Sequence, residues 1–304
     1  MRVALIGRSQ FLLDTAKKIL KSDHKIKFIY TCKSEKYYKV NEFHFKNFCT
    51  SKKIPFFCDV DINKKINLLK KYKAEIGISV NYKTLIKKKT ISIFKYGILN
   101  AHAGDLPKYK GNATPNWAIL NFEKKIGLTI HSMNESLDSG KIIIKKFFKI
   151  NEKTYINEIY DWMEKKIPFL FLESLKKIKN KNFFPLVQRG ISLRTYPRKD
   201  KDGRINWQDK NRNILALIRA TSFPFSGAFT FLKKKQKIRI FSAKKFIPKF
   251  KFYAVPGQVC LNNKNNPVIS TVDGMIEILT CSKIKLEDKL IKKKILKSMR
   301  NRLF

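Results

Sequence analysis

No apolar run in the chain approaches the roughly 20 consecutive residues that a membrane-spanning helix needs. The apolar opening, residues 1–7, is too short for a secretory signal and has the composition of a first buried strand. The five cysteines are scattered, odd in number and never spaced as C-x-x-C, which argues against a disulfide framework and against a zinc site. These absences exclude the membrane-spanning and disulfide-stapled classes and predict a cytoplasmic protein that needs no metal.

Acidic residues are also scarce, since 23 Asp and Glu stand against 66 Lys and Arg and leave a net charge of +43. The excess is carried by Lys rather than Arg, beside frequent Asn and Ile, which is the pattern of codon bias in an A+T-rich genome. Two interpretations stay open: solvated lysine faces without a function, or a surface that attracts polyanions such as RNA. A non-enzymatic basic RNA-binding protein is therefore one candidate.

The order of apolar segments predicts two domains. Strands and helices alternate through the first half, which is typical of a doubly wound parallel α/β sheet. A long amphipathic helix over 155–179 ends this half, and short strands at roughly ten-residue spacing predict a smaller open β-barrel in the second half. We expect a catalytic domain at 1–188, a linker at 189–203 and a C-terminal domain at 204–304.

Polar side chains stand where predicted strands end. Asn81 and Tyr82 follow one strand, while Asn100 and His102 end the next. Ligands bind at the carboxyl ends of parallel strands, so these residues predict one crevice. The first strand is followed by a single glycine, Gly7, which argues against a dinucleotide site. Asn100, His102 and Asp138 supply an amide, an imidazole and a carboxylate, which together could move protons and stabilise an oxyanion.

The same stretch resembles a known family. The chain carries Asn100-Ala101-His102, Leu106-Pro107, Gly111 and Leu137-Asp138-Ser139-Gly140. This ordered set is similar to the hallmark of the folate-dependent formyltransferases, which include the methionyl-tRNA formyltransferases and the amino-sugar N-formyltransferases. The second half, through 196–207 and 218–229, also resembles the two-domain members.

The resemblance implies transfer of a formyl group from N10-formyltetrahydrofolate, the co-substrate, to a primary amine. Asn100 would then donate to the oxyanion, and His102 and Asp138 would share proton transfer, with the general base left open between them. His131 lies in an apolar run and is expected to be structural or to support the site. The loops after two strands would form the folate pocket; its expected residues are Ser79, Val80, Asn81, Tyr82, Ser132 and Leu137.

The acceptor amine is less clearly indicated. Methionyl-tRNA formyltransferases usually open with a Phe-Ala-Gly-Thr-Pro turn and carry Ser-Leu-Leu-Pro after the histidine, whereas this chain has Leu5-Ile6-Gly7-Arg8-Ser9 and Gly104-Asp105-Leu106-Pro107. These departures favour a nucleotide-linked amino sugar or another small amine, with methionyl-tRNA as the alternative. A hydrolase that releases formate would keep the same three residues, and the oligomeric state stays open.

Overall fold

A computed structural model describes residues 1–35, 38–233 and 236–304. Among those residues, no helix is both long enough and apolar enough to cross a membrane. The chain folds into two compact units. The first contains Met1–Thr114, Lys125–Lys149 and Tyr160–Tyr196, and the second contains Pro115–Lys124, Ile150–Ile159 and Pro197–Phe304.

The first unit is built on a seven-stranded sheet. Its strands are β1 (Arg2–Gly7), β2 (Lys25–Thr31), β3 (Phe56–Cys58), β4 (Ile76–Val80), β5 (Ile98–His102), β7 (Lys125–Ser132) and β8 (Ile142–Lys149), in the order β3-β2-β1-β4-β5-β7-β8. The first five strands in this order are parallel. Burial of all of β4, and of β1 after Arg2, is typical of parallel strands covered on both faces. The α/β class predicted from the sequence is confirmed.

The last two strands depart from the predicted all-parallel pattern. β7 runs antiparallel to β5, and β8 runs antiparallel to β7. The loop from 133 to 141 that joins β7 to β8 is too short for the crossover that a parallel return needs, so the pair forms a hairpin. A further two-stranded parallel pair joins β6 (Lys110–Gly111) to β9 (Arg194–Thr195).

Eight α-helices occur in the described part of the chain. They are α1 (Gln10–Leu20), α2 (Glu42–Ser51), α3 (Ile66–Lys70), α4 (Lys88–Ile91), α5 (Thr114–Leu120), α6 (Ile156–Lys179), α7 (Asn211–Thr221) and α8 (Lys285–Leu296). α1 buries Leu12, Ala16 and Ile19. Their spacing places them on one face of the helix, which therefore packs against the protein. α6 matches the long amphipathic helix predicted over 155–179, whereas α8 was not predicted.

The second unit consists mainly of antiparallel strands, as expected for the C-terminal domain. Its strands are β10 (Ala228–Leu232), β11 (Gln236–Ile240), β12 (Ser242–Phe246), β13 (Val259–Asn263), β14 (Asn266–Thr271) and β15 (Gly274–Thr280). They form a β10-β11 pair and a four-stranded sheet of order β12-β15-β14-β13. β11 and β12 are separated by one residue and belong to different sheets. Trp207, Ile218 and Ile276 belong to the apolar core of this unit.

The end of the first unit lies in the segment that the sequence suggested as a linker. Residues 189–196 belong to the first compact unit, and β9 pairs there with β6. The boundaries at 188 and 204 stay a prediction, and the packing of 189–196 bears directly on the site described next.

Candidate active site

The antiparallel pairing of β5 with β7 places polar side chains on one face. Asn100 and His102 are two residues apart on β5, so both point to the same side of the sheet. His131 of β7 is directly opposite Asn100 in the register. The Nδ2 atom of Asn100 lies 3.2 Å from Nε2 of His131. Register therefore brings an amide and two imidazoles to one end of the sheet.

Hydrogen bonds fix the orientation of both imidazoles. Nε2 of His102 is 2.7 Å from the Tyr109 carbonyl oxygen, and Nδ1 of His131 is 2.9 Å from the Ser132 carbonyl oxygen. A carbonyl oxygen only accepts, so both of these nitrogens carry hydrogen. In neutral His131, Nε2 then accepts a hydrogen bond from Asn100, which leaves the second amide hydrogen of Asn100 available to a ligand.

Asp138 faces both histidines. Its Oδ2 lies 3.5 Å from Nδ1 of His102, and its Oδ1 lies 3.7 Å from Nε2 of His131. The Gly111 amide donates to Oδ2 at 2.9 Å. Asp138 adopts a φ of +51°, in the left-handed region that Asp tolerates better than most residues. The structure thus brings together Asn100, His102 and Asp138, and adds His131.

Burial and neighbouring groups shift the pKa values of both His102 and Asp138. His102 is 6% exposed, and burial lowers the pKa of its imidazole although the Asp138 carboxylate opposes this. Burial alone would raise the pKa of Asp138, but the two histidines and the Gly111 amide favour the carboxylate and hold that pKa below its ordinary value. At neutral pH the site therefore presents a carboxylate beside a neutral imidazole that can share an incoming proton.

Two glycines allow the chain to approach closely here. A Cβ atom at Gly140 would lie 1.6 Å from the Ser132 carbonyl oxygen. A Cβ atom at Gly104 would lie 2.4 Å from Nε2 of His102 and 2.2 Å from the Tyr109 carbonyl oxygen. Both positions need a hydrogen in place of a side chain, because the reactive loops pack directly against the strand ends.

His131 is the residue whose place in the cluster the sequence left least defined. Its neighbours alternate, with Leu128 and Ile130 apolar and Thr129 polar. This period of two puts Thr129 and His131 on the face opposite the two apolar side chains. The alternation was a readable signal, but its meaning depends on the register with β5, which the sequence does not state.

The residues expected to bind folate near β4 are mostly engaged within the protein. Ser79 and Val80 are buried strand residues. The Asn81 amide donates to Ser9 Oγ at 3.3 Å, and the Tyr82 hydroxyl donates to the Val60 carbonyl at 3.0 Å. The Asn81 and Tyr82 side chains therefore hold neighbouring loops, which leaves the backbone as the means of contact with a ligand.

Ser132 and Leu137, the residues expected to bind folate after β7, differ from each other in exposure. Ser132 ends β7, where its hydroxyl donates to the Lys141 carbonyl at 3.3 Å. Leu137 is 41% exposed and immediately precedes Asp138. Among the described residues, no group of three or more His, Cys, Asp or Glu could hold a metal ion.

An amide, an imidazole and a carboxylate at the end of a largely parallel sheet are the groups of an acyl-transfer centre. Residues 1–175 match the family described as formyl transferase, and residues 198–293 match the formyl transferase C-terminal domain. The chain belongs to the formyl transferase family and is an enzyme of that class. The identification made from the sequence motifs is confirmed.

Curated relatives include two kinds of protein. The chain is 31% identical over 225 residues to a methionyl-tRNA formyltransferase of Thermodesulfovibrio yellowstonii, covering 73% of this chain and 71% of that protein. It is 35% identical over 235 residues to the bifunctional polymyxin resistance protein ArnA of Wigglesworthia glossinidia brevipalpis, covering 75% of this chain but only 34% of that larger protein.

Solved structures share the fold over nearly the whole chain. An N-formyltransferase from Helicobacter canadensis, in complex with folinic acid and dTDP-3-aminofucose, aligns with a TM-score of 0.70 and 20% identity. The alignment covers 91% of this chain and 98% of that one. At this identity the likeness establishes the fold of the chain and not its acceptor.

Proposed function

We propose that this enzyme transfers a formyl group to the primary amine of a nucleotide-linked amino sugar. The observation that carries formyl transfer to an amine is the cluster in which Asp138 faces both His102 and His131 while His131 orients the Asn100 amide. The co-substrate is N10-formyltetrahydrofolate, which supplies an activated formyl group when bound. Backbone N–H and C=O groups of 79–82 and 132–137 suit the polar edges of a pterin ring. The exposed Leu137 side chain suits the face of that ring.

Asn100 is the group suited to stabilise negative charge. Its amide is fixed by His131, so the remaining N–H is held in place for the oxygen of the formyl group as charge develops there. A fixed donor of this kind lowers the reaction barrier by roughly 3–4 kcal/mol in comparable sites. Preorganisation matters here because reorienting a free amide during the reaction would cost part of that gain.

Asp138 and His102 are suited to take the proton that the amine loses. Both nitrogens of His102 face protein groups, so its contribution in this arrangement passes through Asp138. The carboxylate accepts the proton from the amine, and the adjacent neutral imidazole stabilises the protonated pair by sharing that proton. This division of roles assigns Asp138 as the base and His102 as its partner.

Support for a sugar acceptor comes from two features. The departures at Gly7-Arg8-Ser9 and Gly104-Asp105 separate the chain from the usual methionyl-tRNA pattern. The Helicobacter canadensis neighbour, which carries an amino-sugar nucleotide, is matched over 98% of its length. On separate grounds we place the reaction in the reducing cytoplasm, because all five cysteines are free thiols.

Methionyl-tRNA is the second candidate acceptor. It is favoured by the curated relative of that name, which the chain matches over 71% of its length, and by the net charge of +43. A charge of this size attracts polyanions whatever its evolutionary origin. The two candidates differ in the acceptor and share the site chemistry.

The test is to incubate the purified protein with N10-formyltetrahydrofolate and measure tetrahydrofolate release with a panel of acceptors. The panel contains dTDP- and UDP-linked amino sugars and methionyl-tRNA. A reaction without any acceptor serves as the control. Release that depends on an amino sugar supports the proposal. Release only with the tRNA identifies an initiator formylase, and release without any acceptor identifies a hydrolase; either result rejects the sugar assignment.

A further inference from the structure

One segment after α6 contacts both loops that hold the Asp138 carboxylate. Leu186 pairs with Ile142 of β8 through two backbone hydrogen bonds of 2.8 and 2.9 Å. Nine residues later, Thr195 of β9 pairs with Gly111 of β6. Residues 186–195, which we call the strap, therefore span from the edge of the hairpin to the loop that follows β5.

Gln188 contacts the Asp138 loop directly. Its Nε2 donates to the carbonyl oxygens of Asp138 and Gly140, each at 2.8 Å. Both amide hydrogens are thus used on the two carbonyls that flank Ser139. These bonds hold the backbone on either side of the left-handed turn that begins at Asp138.

The orientation of the Gln188 amide is fixed by its surroundings. Within the described part of the chain, its Oε1 is buried and accepts no hydrogen bond. A flipped amide would place Oε1 against two carbonyl oxygens, which is repulsive, so the unsatisfied acceptor is retained. An unpaired buried acceptor is unfavourable, and the two donated hydrogen bonds offset that cost in this orientation.

Thr195 holds the other loop. Its Oγ1 lies 3.1 Å from the Lys110 carbonyl and 2.9 Å from the Asn112 carbonyl. The residue between them, Gly111, gives the amide that binds Asp138 Oδ2. The Lys110 amide also donates to the Leu193 carbonyl at 2.8 Å, so the strap fixes this loop from several sides.

From these contacts we infer that Gln188 and Thr195 are positioning residues that set the distance between Asp138 and the Gly111 amide, and with it the aim of the Asp138 carboxylate. This inference rests on the proposed function for its catalytic consequence. Gln188 and Thr195 bind backbone carbonyls of the two loops, so they act on the Asp138–His102 pair through the backbone. A misplacement of about 1 Å in such a centre can cost about 100-fold in rate.

The test uses Gln188→Met, which keeps the length of the side chain and removes its donors. We expect kcat for tetrahydrofolate release to fall about 10- to 100-fold. The KM for N10-formyltetrahydrofolate should change less than about twofold, because the interaction acts on the reacting geometry. Gln208→Met is the matched control, since Gln208 is an exposed glutamine of the second unit.

A second readout does not depend on activity. Hydrogen–deuterium exchange at the Gly111 amide reports whether Asp138 still accepts its hydrogen bond, and we expect exchange at least about tenfold faster in Gln188→Met. Thr195→Val provides an independent variant with the same expected change at Gly111. Circular dichroism of each variant checks that the fold is retained.

Unchanged Gly111 exchange in both folded variants would overturn the inference, as would an unchanged kcat in an active parent enzyme. If the wild-type protein transfers no formyl group to any amine, the proposed function fails. The exchange measurement still decides the strap in that case, so the two failures are distinguishable.

Discussion

At the scale of single residues, the site depends on groups that fix one another. His131 is bound to the Ser132 carbonyl on one side and to Asn100 on the other, so the amide has one orientation before any substrate arrives. His102 is similarly held by the Tyr109 carbonyl. Fixed donors and acceptors stabilise developing charge better than mobile ones, because they need no reorganisation during the reaction.

Replacing Asn100 with Ala removes the amide that we propose as the donor to the formyl oxygen. We expect kcat to fall about 10²- to 10³-fold, the loss seen when one oxyanion donor is deleted. Steady-state kinetics of tetrahydrofolate release measures this. Asn182→Ala, at an exposed position after α6, should retain wild-type activity, and a similar loss in both variants would argue against a specific role for Asn100.

The buried imidazole of His102 should make stability depend on pH. Its pKa is lower in the folded chain than the ordinary value of 6.5, so the unfolded chain binds the proton more tightly. The free energy of unfolding should therefore decrease as the pH falls below 6.5. The lowered pKa of Asp138 adds a loss in the same direction at more acidic pH, below its ordinary value of 3.8.

Urea denaturation at pH 7 and pH 5.5 tests this linkage. His102→Gln should show a smaller decrease in unfolding free energy between the two pH values than the wild type does. Asn182→Ala, at an exposed position after α6, changes no titrating group; it serves as the control and should keep the wild-type decrease. A decrease of the same size in His102→Gln would contradict the assignment.

At the scale of elements, the loop of the β7–β8 hairpin carries the Asp138 carboxylate. This loop turns through Asp138 in a left-handed conformation and returns at Gly140 against the Ser132 carbonyl. Lys145 of β8 binds Asp105 and the Leu106 carbonyl, each at 2.6 Å, so the hairpin also anchors the loop after β5. The geometry of the site is thus a property of how this hairpin packs on β5.

Gly140→Ala should disrupt that geometry. The added Cβ would lie 1.6 Å from the Ser132 carbonyl, and the backbone must shift to relieve it. Overpacking of this kind typically costs about 1–3 kcal/mol of stability. The thermal unfolding temperature and the rate of tetrahydrofolate release should both be lower in Gly140→Ala. Ser136→Ala, at an exposed position of the same loop, should change neither; equal behaviour of the two variants would contradict the packing shown here.

The elements also show how far a sequence can be interpreted. β1 was predictable because it is a continuous apolar run, and α1 and α6 were predictable because each buries apolar residues at helical spacing. Asn100 and His102 could be placed at a strand end for the same reason. The pairing of His131 with Asn100 was not predictable, because an antiparallel register between β5 and β7 is decided by tertiary packing. The contacts of the strap were not predictable either, since residues 186–195 have neither helical nor strand periodicity, as is typical of a linker.

At the scale of the whole molecule, the net charge of +43 means that the salt dependence of the reaction can distinguish the two acceptor classes. A polyanionic acceptor that makes six to ten phosphate contacts loses about 10³- to 10⁵-fold in affinity between 50 and 200 mM salt. A sugar nucleotide carries only a few charges. We therefore expect kcat/KM for an amino-sugar nucleotide to change less than about tenfold over that salt range. A steeper decrease would favour tRNA as the acceptor.

The most direct measurement is the rate of tetrahydrofolate release from N10-formyltetrahydrofolate with an amino-sugar nucleotide, in the wild type and in Asp138→Asn. The variant keeps the size of the side chain and removes the carboxylate that receives the proton. We predict acceptor-dependent release by the wild type and a rate about 10²- to 10⁴-fold lower in Asp138→Asn. The exposed Asp23→Asn should match the wild type. Full activity in Asp138→Asn, or no release by the wild type with any primary amine, would contradict the account.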